Sequence, residues 1–292
     1  LLKKIKPDVF FVLGDTNSAL SAIAAKKLKI PIFHFEAGNR CNDQRVPEEI
    51  NRKIVDHISD INLTYSQISK NNLLNEGIPE KQVIVIGSPL YEVINNNILL
   101  IKNSKIKEKL KVKRQQYYLV SIHREETVES KKLLNIIILI IKFLCTNKNI
   151  RVILSAHPRL KVKLEKYKFN NKNLIIHKPF SFSEYCNLQK NAKTVISDSG
   201  TINEESSILG FKAINLRNTH ERHEANEETT TLMSGINFEN FKNCLGYLEK
   251  SKFNSQRVKE YSIDNVSEKI VRIIYSYKEY VKNYIYFENE TK

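Results

Sequence analysis

The sequence predicts an α/β protein made of two doubly wound parallel-sheet domains. Two patterns carry that expectation. Short β-branched and aromatic runs alternate with longer helical stretches through almost all of the 292 residues, which is the rhythm of parallel strands joined by crossover helices. Polar and charged residues gather just after the apolar runs, and in such sheets the space beyond the carboxyl ends of the strands is where ligands bind.

In chain order, DVFFVL (8–13), PIFHF (31–35), INLTY (61–65) and QVIVI (82–86) read as the strands of the first domain, with helices at 18–29, 48–58 and 67–75 between them. The stretch 96–116 is dense in lysine and asparagine and a fresh strand follows it, so a first domain is expected at 1–110 and a second at 111–264. YYLVSI (117–122), VILSA (152–156), LIIH (174–177), TVIS (194–197) and KAINL (212–216) supply the second set of strands, with helices at 131–145, 183–190 and 202–209. The tail 265–292 carries Ile270, Ile273, Ile274, Tyr277 and Tyr284 at near-helical spacing and is expected to pack back on the body as a helix. The only methionine is Met233, and Leu1 opens in what reads as the end of a helix running into a strand. The first domain is therefore expected to lack its first strands.

Composition narrows the classes of function. Lys and Arg outnumber Asp and Glu by 47 to 32, a net charge of +15. The lysines are spread along the expected helices with no nucleic-acid-binding motif beside them, so a solvated surface is expected, not a DNA or RNA partner. A positive cleft would suit a phosphorylated small substrate. The strongest apolar run, 136–141, is closed by Asn135 and Lys142, far short of the ~20 residues of a membrane helix. Cys41, Cys145, Cys186 and Cys244 have neither metal-like nor paired spacing, so no metal is expected and a reducing cytoplasm fits. No G-x-G-x-x-G fingerprint occurs, and no nicotinamide cofactor is expected.

The candidate site is the set of residues at the strand ends. Gly14-Asp15 follows the first strand, Glu36-Ala37-Gly38 the second, and His123-Arg124-Glu125-Glu126 the strand at 117–122; His157, Asp198-Ser199-Gly200-Thr201 and His220-Glu221-Arg222 follow later ones. Each has a plainer reading. Asp15 could cap the next helix, Thr201 and Glu204 match a capping box that would leave Glu205 the freer carboxylate, and Glu48 and Arg52, four apart, match a surface ion pair. His57 and His177 read as packing or surface histidines. The coincidence at one rim favours function. Asp198-Ser199-Gly200-Thr201 before a helix resembles an anion site, where small residues let backbone N–H groups reach a phosphate. Arg222 and His123 could hold a diphosphate and Glu205 could accept from ribose hydroxyls, so a nucleotide diphosphate is the expected ligand.

The segments LGDTNSALSAIAAKKLKIPIFHFEAGNR, RVPEEINRKIVDHISDINLTYS, SIHREE, SAHPR and ISDSGTINEESSILG, in this order over about residues 8–237, resemble the non-hydrolysing UDP-N-acetylglucosamine 2-epimerase family. GNRCNDQRVPEEINRKIVDHISDINL, GSPLYEV and SGTINEESSIL are similar to the branch that makes UDP-N-acetyl-L-fucosamine for capsule, O-antigen and lipopolysaccharide; a sister branch acting on a UDP-2,3-diacetamido-hexuronic acid, or UDP-N-acetylglucosamine itself, stays open. The resemblance implies two Rossmann-like, glycosyltransferase-B-like domains with an interdomain cleft, a cytoplasmic isomerase without cofactor, and a homodimer. It implies a catalytic set of Asp15, Glu36, Glu48, Arg52 and His123, with UDP bound by His123, Ser199, Gly200, Glu205 and Arg222. It further implies expulsion of UDP from carbon 1 while a base takes the carbon 2 proton, and re-addition on the other face. In that scheme Arg52 holds Glu48 and keeps it ionised. Two departures bear on this reading: a GTRPE-like opening segment would lie before Leu1, and His223, Ala225 and Asn226 stand where the branch has proline, glycine and methionine. The competing readings are a transferase of the same build and an inactive remnant.

Overall fold

The computed structural model describes residues 1–43, 46–156, 158–166, 171–218, 222–252 and 257–287. The chain forms two compact units: Leu1–Glu92 with Glu221–Glu224 and Lys259–Lys292, and Val93–His220 with Ala225–Val258.

The first unit is built on four parallel strands, β1 (Phe10–Leu13), β2 (Ile32–Ala37), β3 (Ile61–Thr64) and β4 (Val83–Val85), in the order β1-β2-β3-β4. Register pairs Phe33 with Ile61 and Phe35 with Leu63, so one face of the sheet is aromatic and branched. That face is covered by the helix Val266–Tyr280, which contributes Val266, Ile270, Ile273, Ile274 and Tyr277. Full burial of a large apolar side chain stabilises by roughly 1.5–3 kcal/mol; Val266 is fully buried and the other four are partly buried, so each of those contributes less. On the opposite face Val12 and Ile32 meet Ala19, Ala22, Ala25 and Val55, and the alanines let helix backbone lie close to the strands. The expected helix at 18–29 is divided into a 3₁₀ turn, Asn17–Ser21, and an α-helix, Ala22–Lys27. Local bonding explains the break: the Ser21 hydroxyl donates to the Ser18 carbonyl at 2.6 Å, and such bonds compete with the helical ladder.

The second unit has six parallel strands: β5 (Tyr117–Ile122), β6 (Arg151–Ala156), β7 (Leu174–His177), β8 (Thr194–Ser197), β9 (Ala213–Asn215) and β10 (Leu232–Met233). Their order is β10-β9-β8-β5-β6-β7. The core, with Val120, Ile122, Val152, Leu154, Ile196 and Ile214, packs against Ile137, Ile138 and Ile141 of the helix Lys131–Leu144. The chain runs from β5 to β6 on one side and places β8 on the other, so the strand order reverses at β5. That reversal opens a crevice at the carboxyl ends of β5 and β8. The lysine- and asparagine-rich stretch is helical, at Ile98–Lys102 and Ile106–Lys109, and buries Ile101 and Ile106. Asn187 Nδ2 donates to the Ile101 carbonyl at 2.7 Å. These helices belong to the second unit, which begins at Val93. Among the described residues no helix is long and apolar enough to cross a membrane.

Gly38, at the end of β2, illustrates how tightly the first unit is assembled. Its φ is +77°, and a Cβ there would lie 2.2 Å from the Ser69 carbonyl oxygen. Both the left-handed backbone and the backbone contact demand glycine. Gly38→Ala is expected to lower stability by about 3 kcal/mol or more, read as a fall in the denaturant midpoint at constant slope; a change below about 0.5 kcal/mol would mean the two backbones separate freely.

Candidate active site

In the first unit the candidate residues stand where β1 and β2 end and the helix Pro47–Ile58 begins. The pairing of β2 with β3 shifts register between Phe35 and Ala37, leaving Glu36 as the extra residue of a bulge with φ +72°. A non-glycine residue held there costs about 1–3 kcal/mol and persists only where the surroundings enforce it. The surroundings do so: Glu36 Oε1 accepts from Arg222 Nη2 at 2.9 Å, and Arg222 also lies over the Tyr65 ring, 6.0 Å from its centroid. Gly14 beside it has φ +74°, a left-handed backbone that favours glycine, while a Cβ there would meet Glu36 Oε2 only at the ordinary contact distance of 3.6 Å.

Arg52 is buried, and its guanidinium is shared. Nε donates to Asp15 Oδ2 at 2.8 Å, Nη2 pairs with the same oxygen, and Nη1 donates to Glu49 Oε2 at 2.9 Å and to the Asn39 carbonyl at 3.0 Å. The expectation that Arg52 holds Glu48 is therefore corrected: Arg52 engages Asp15, Glu49 and the Asn39 carbonyl, and Glu48 has no hydrogen bond or ion pair among the described residues. The cause is helix phase. Pro47 is the first helical residue, so Glu48 and Glu49 both lie in the first turn, where the backbone dipole favours carboxylates. Glu49 turns inward, because it also accepts from Cys41 N at 3.1 Å and Asn42 N at 3.2 Å, the irregular loop's own amides. Asn51 completes the set by donating to the Asp15 carbonyl at 3.0 Å.

Beneath this rim lies a buried polar network that the sequence did not single out. Asp56 meets His34 Nδ1 at 2.8 Å and Arg40 Nη1 at 2.7 Å, and the Gly38 amide approaches both of its oxygens at 3.3 Å. Arg40 also grips Glu76 with two bonds of 2.7 Å, which hold the Glu76 carboxyl below its ordinary range. Burial works against the Arg40 charge, but Glu76 and Asp56 outweigh it and raise the guanidinium further.

In the second unit the candidates flank the strand-order reversal. The wholly buried Asp198, following β8, accepts from His123 N and Arg124 N, both at 3.1 Å, and its Oδ1 lies 3.2 Å from His123 Nδ1. Asp198 thus clamps the ends of β5 and β8 together, and leaves the His123 ring half exposed. Thr201 is the N-cap residue of the helix Ile202–Leu209, but its backbone is already in the right-handed helical region and its side chain makes no cap bond, so the expected Thr201 and Glu204 capping box is absent. Instead the Thr201 hydroxyl donates to Glu205 Oε1 at 3.0 Å, Ser199 Oγ lies 2.9 Å from Thr201 Oγ1, and Gln189 Nε2 donates to Glu205 Oε2 at 2.5 Å. Glu205, expected to be the freer carboxylate, is fixed by two donors. Gly200 lies between Ser199 and Thr201 in the same turn. Burial pushes the thiols of Cys145 and Cys186 up to about 11 and about 12, so both stay protonated and unreactive at neutral pH. His157, His220, Glu221 and the side chains of Glu125, Glu126 and Asn226 lie outside the described residues.

Residues 1–275 match the sequence profile of the UDP-N-acetylglucosamine 2-epimerase family. The chain belongs to this family. It is an enzyme of the isomerase class, and its two parallel-sheet units are those of the family's solved structures. The UDP-N-acetylglucosamine 2-epimerase of Rickettsia bellii is 42% identical, with a TM-score of 0.89 over 98% of this chain and 78% of that one. The Methanocaldococcus jannaschii enzyme, solved with UDP-N-acetylglucosamine and UDP, is 34% identical, with a TM-score of 0.86 over 94% and 77%. A UDP-2,3-diacetamido-2,3-dideoxy-D-glucuronate 2-epimerase of Pseudomonas aeruginosa is 30% identical over 76% of this chain and 62% of its own. As a family member the chain is a UDP-sugar 2-epimerase. The finer sequence expectation, the UDP-N-acetyl-L-fucosamine branch, is not distinguished by these relatives.

Proposed function

We propose that the chain inverts carbon 2 of a UDP-N-acetylhexosamine, with UDP-N-acetylglucosamine as the first substrate to test, by eliminating and re-adding UDP. The observation that carries this reading is the gathering of three carboxylates in unlike settings at one rim: Asp15 paired to Arg52, Glu36 paired to Arg222 on a bulge, and Glu48 with no protein partner among the described residues. Carbon 2 of an acetamido sugar has no neighbouring carbonyl, so its proton is not acidic through an enolate. Breaking the carbon 1 to oxygen bond as the proton leaves makes it acidic: the proton passes to a carboxylate, the electron pair forms the carbon 1 to carbon 2 double bond, and UDP departs with the bonding pair. Reversal with a proton delivered to the opposite face completes epimerisation.

This chemistry needs a base and an acid on opposite faces of the ring and a stabilised diphosphate. Glu48, unengaged, is the proposed base for one face, with Glu36 or Asp15 serving the other. Arg52 acts as the residue that orients Asp15. His123, Ser199, Gly200 and Glu205 are proposed to hold UDP, and Arg222 to add positive charge for the departing diphosphate. The likeness to the epimerases of Rickettsia bellii and Methanocaldococcus jannaschii supports the substrate class.

A second reading, formation of UDP-N-acetyl-L-fucosamine for capsule or O-antigen, is favoured by the motif GNRCNDQRVPEEINRKIVDHISDINL. A homodimer and a UDP-2,3-diacetamido-hexuronic acid substrate are further proposals of the same kind. Proton NMR of each UDP-sugar incubated with the purified chain tests the substrates, and the mass of the chain in solution by light scattering tests the homodimer. Growth of the carbon 2 epimer of one substrate to an equilibrium reached from either side supports the reading; a static spectrum for all, or a glycoside formed only when an acceptor is added, contradicts it.

A further inference from the structure

The geometry points to His34 as a positioning residue, held as an imidazolium between the Gly14 carbonyl and Asp56 so that the two backbone turns flanking Asp15 and Glu36 are locked together. Its ring is fully buried, with Nε2 3.0 Å from the Gly14 carbonyl oxygen and Nδ1 2.8 Å from Asp56 Oδ1. A carbonyl oxygen can only accept, so Nε2 carries a hydrogen. The proton in the other contact then sits on Nδ1 or on Asp56. Asp56 faces the Arg40 guanidinium at 2.7 Å and the Gly38 amide at 3.3 Å, and a cation with an amide donor favours the carboxylate. The proton therefore belongs to Nδ1, and both ring nitrogens donate. In register with His34 stand Val12 of β1 and Asn62 of β3, neither of them charged.

The placement explains what the charge is for. Through Gly14 the ring fixes the turn that presents Asp15, and through Asp56 it fixes Gly38, just beyond the strained bulge of Glu36. One neutral ring nitrogen would set a lone pair against either the carbonyl or the carboxylate, and one of the two turns would loosen. Buried, unpaired polar groups are expensive, so the cost would be borne by the geometry of the rim. The effect on rate rests on the proposed epimerase reading; the proton count does not.

The test uses the full chain labelled with ¹⁵N-histidine, the His34 ring being assigned by the signals lost in His34→Gln. At neutral pH both ring nitrogens of His34 are expected to show attached protons and imidazolium shifts; a bare nitrogen overturns the proposal. For a folded His34→Gln chain, kcat is expected to fall by ~10²-fold with KM unchanged, since misplacement by about 1 Å costs that much. An unaltered kcat, or a loss entirely in KM, also overturns it. If His34→Gln does not fold, His34 is assigned from through-space contacts in the unaltered chain and its proton count decides. Failure of the unaltered chain to epimerise any UDP-sugar sinks the proposed function and leaves the proton count to be read by itself.

Discussion

Glu48→Gln is expected to lower turnover of the UDP-sugar by ~10²- to 10⁴-fold, the range typical for loss of one positioned proton-transfer group. The reason is local. Glu48 is half-buried at the start of the helix Pro47–Ile58 and has no protein partner among the described residues, so the amide removes proton affinity without orphaning a buried donor. Thermal stability and UDP binding are expected to change little, because the amide is isosteric and Arg52 is engaged elsewhere. The measurement is kcat by NMR alongside UDP affinity by calorimetry. Turnover within about threefold of the parent removes Glu48 from proton transfer; a large loss of UDP affinity would instead make it a binding residue.

Arg52→Met is expected to cost about 3–5 kcal/mol of stability, because it breaks a buried ion pair by deleting one side. Arg52 and Glu49 are each only 1% exposed, and Asp15 retains 16% of its side-chain surface. Removal of the guanidinium strands Glu49 with the loop amides as its main remaining donors, and releases Asp15 at the rim. The double variant Arg52→Met, Glu49→Gln is expected to regain part of the loss, since the stranded charge is gone, and the difference between single and double losses measures the coupling. Chemical denaturation of the three chains reads this directly. A loss below about 1 kcal/mol for Arg52→Met would mean that water reaches the pair and screens it.

What the sequence allowed to be read follows from which interactions are periodic. Strands β1 to β9 lie within or beside the β-branched runs; the central ones, such as β2, β3, β5 and β8, are buried along nearly their whole length, and a parallel strand buried on both faces has to be apolar throughout. Strand β10, only Leu232–Met233, offers no such run. The helices in 96–116 escaped notice because their outward lysines hide the two isoleucines that do the packing. At the site, Glu36, Asp15 and Asp198 were legible from their place after a strand, but their partners were not: Arg222 reaches Glu36 across 186 positions, and no local pattern announces such a contact. The helix Pro47–Ile58 misleads in a different way. It exposes Ile50 and Ile54 and buries Glu49, Arg52 and Asp56, so a reading that assigns charge to the surface pairs Arg52 with Glu48. Alternation in PIFHF puts His34 on the same face of β2 as Ile32, a signal that could have drawn His34 into the site.

The most direct measurement is isotope exchange. In D₂O, the chain with UDP-N-acetylglucosamine is expected to place one deuterium at carbon 2 in each turnover that yields epimer, with free UDP seen only as a fleeting species. Epimer that keeps its original carbon 2 hydrogen, or substrate recovered without deuterium and without epimer, would contradict proton transfer by the rim carboxylates.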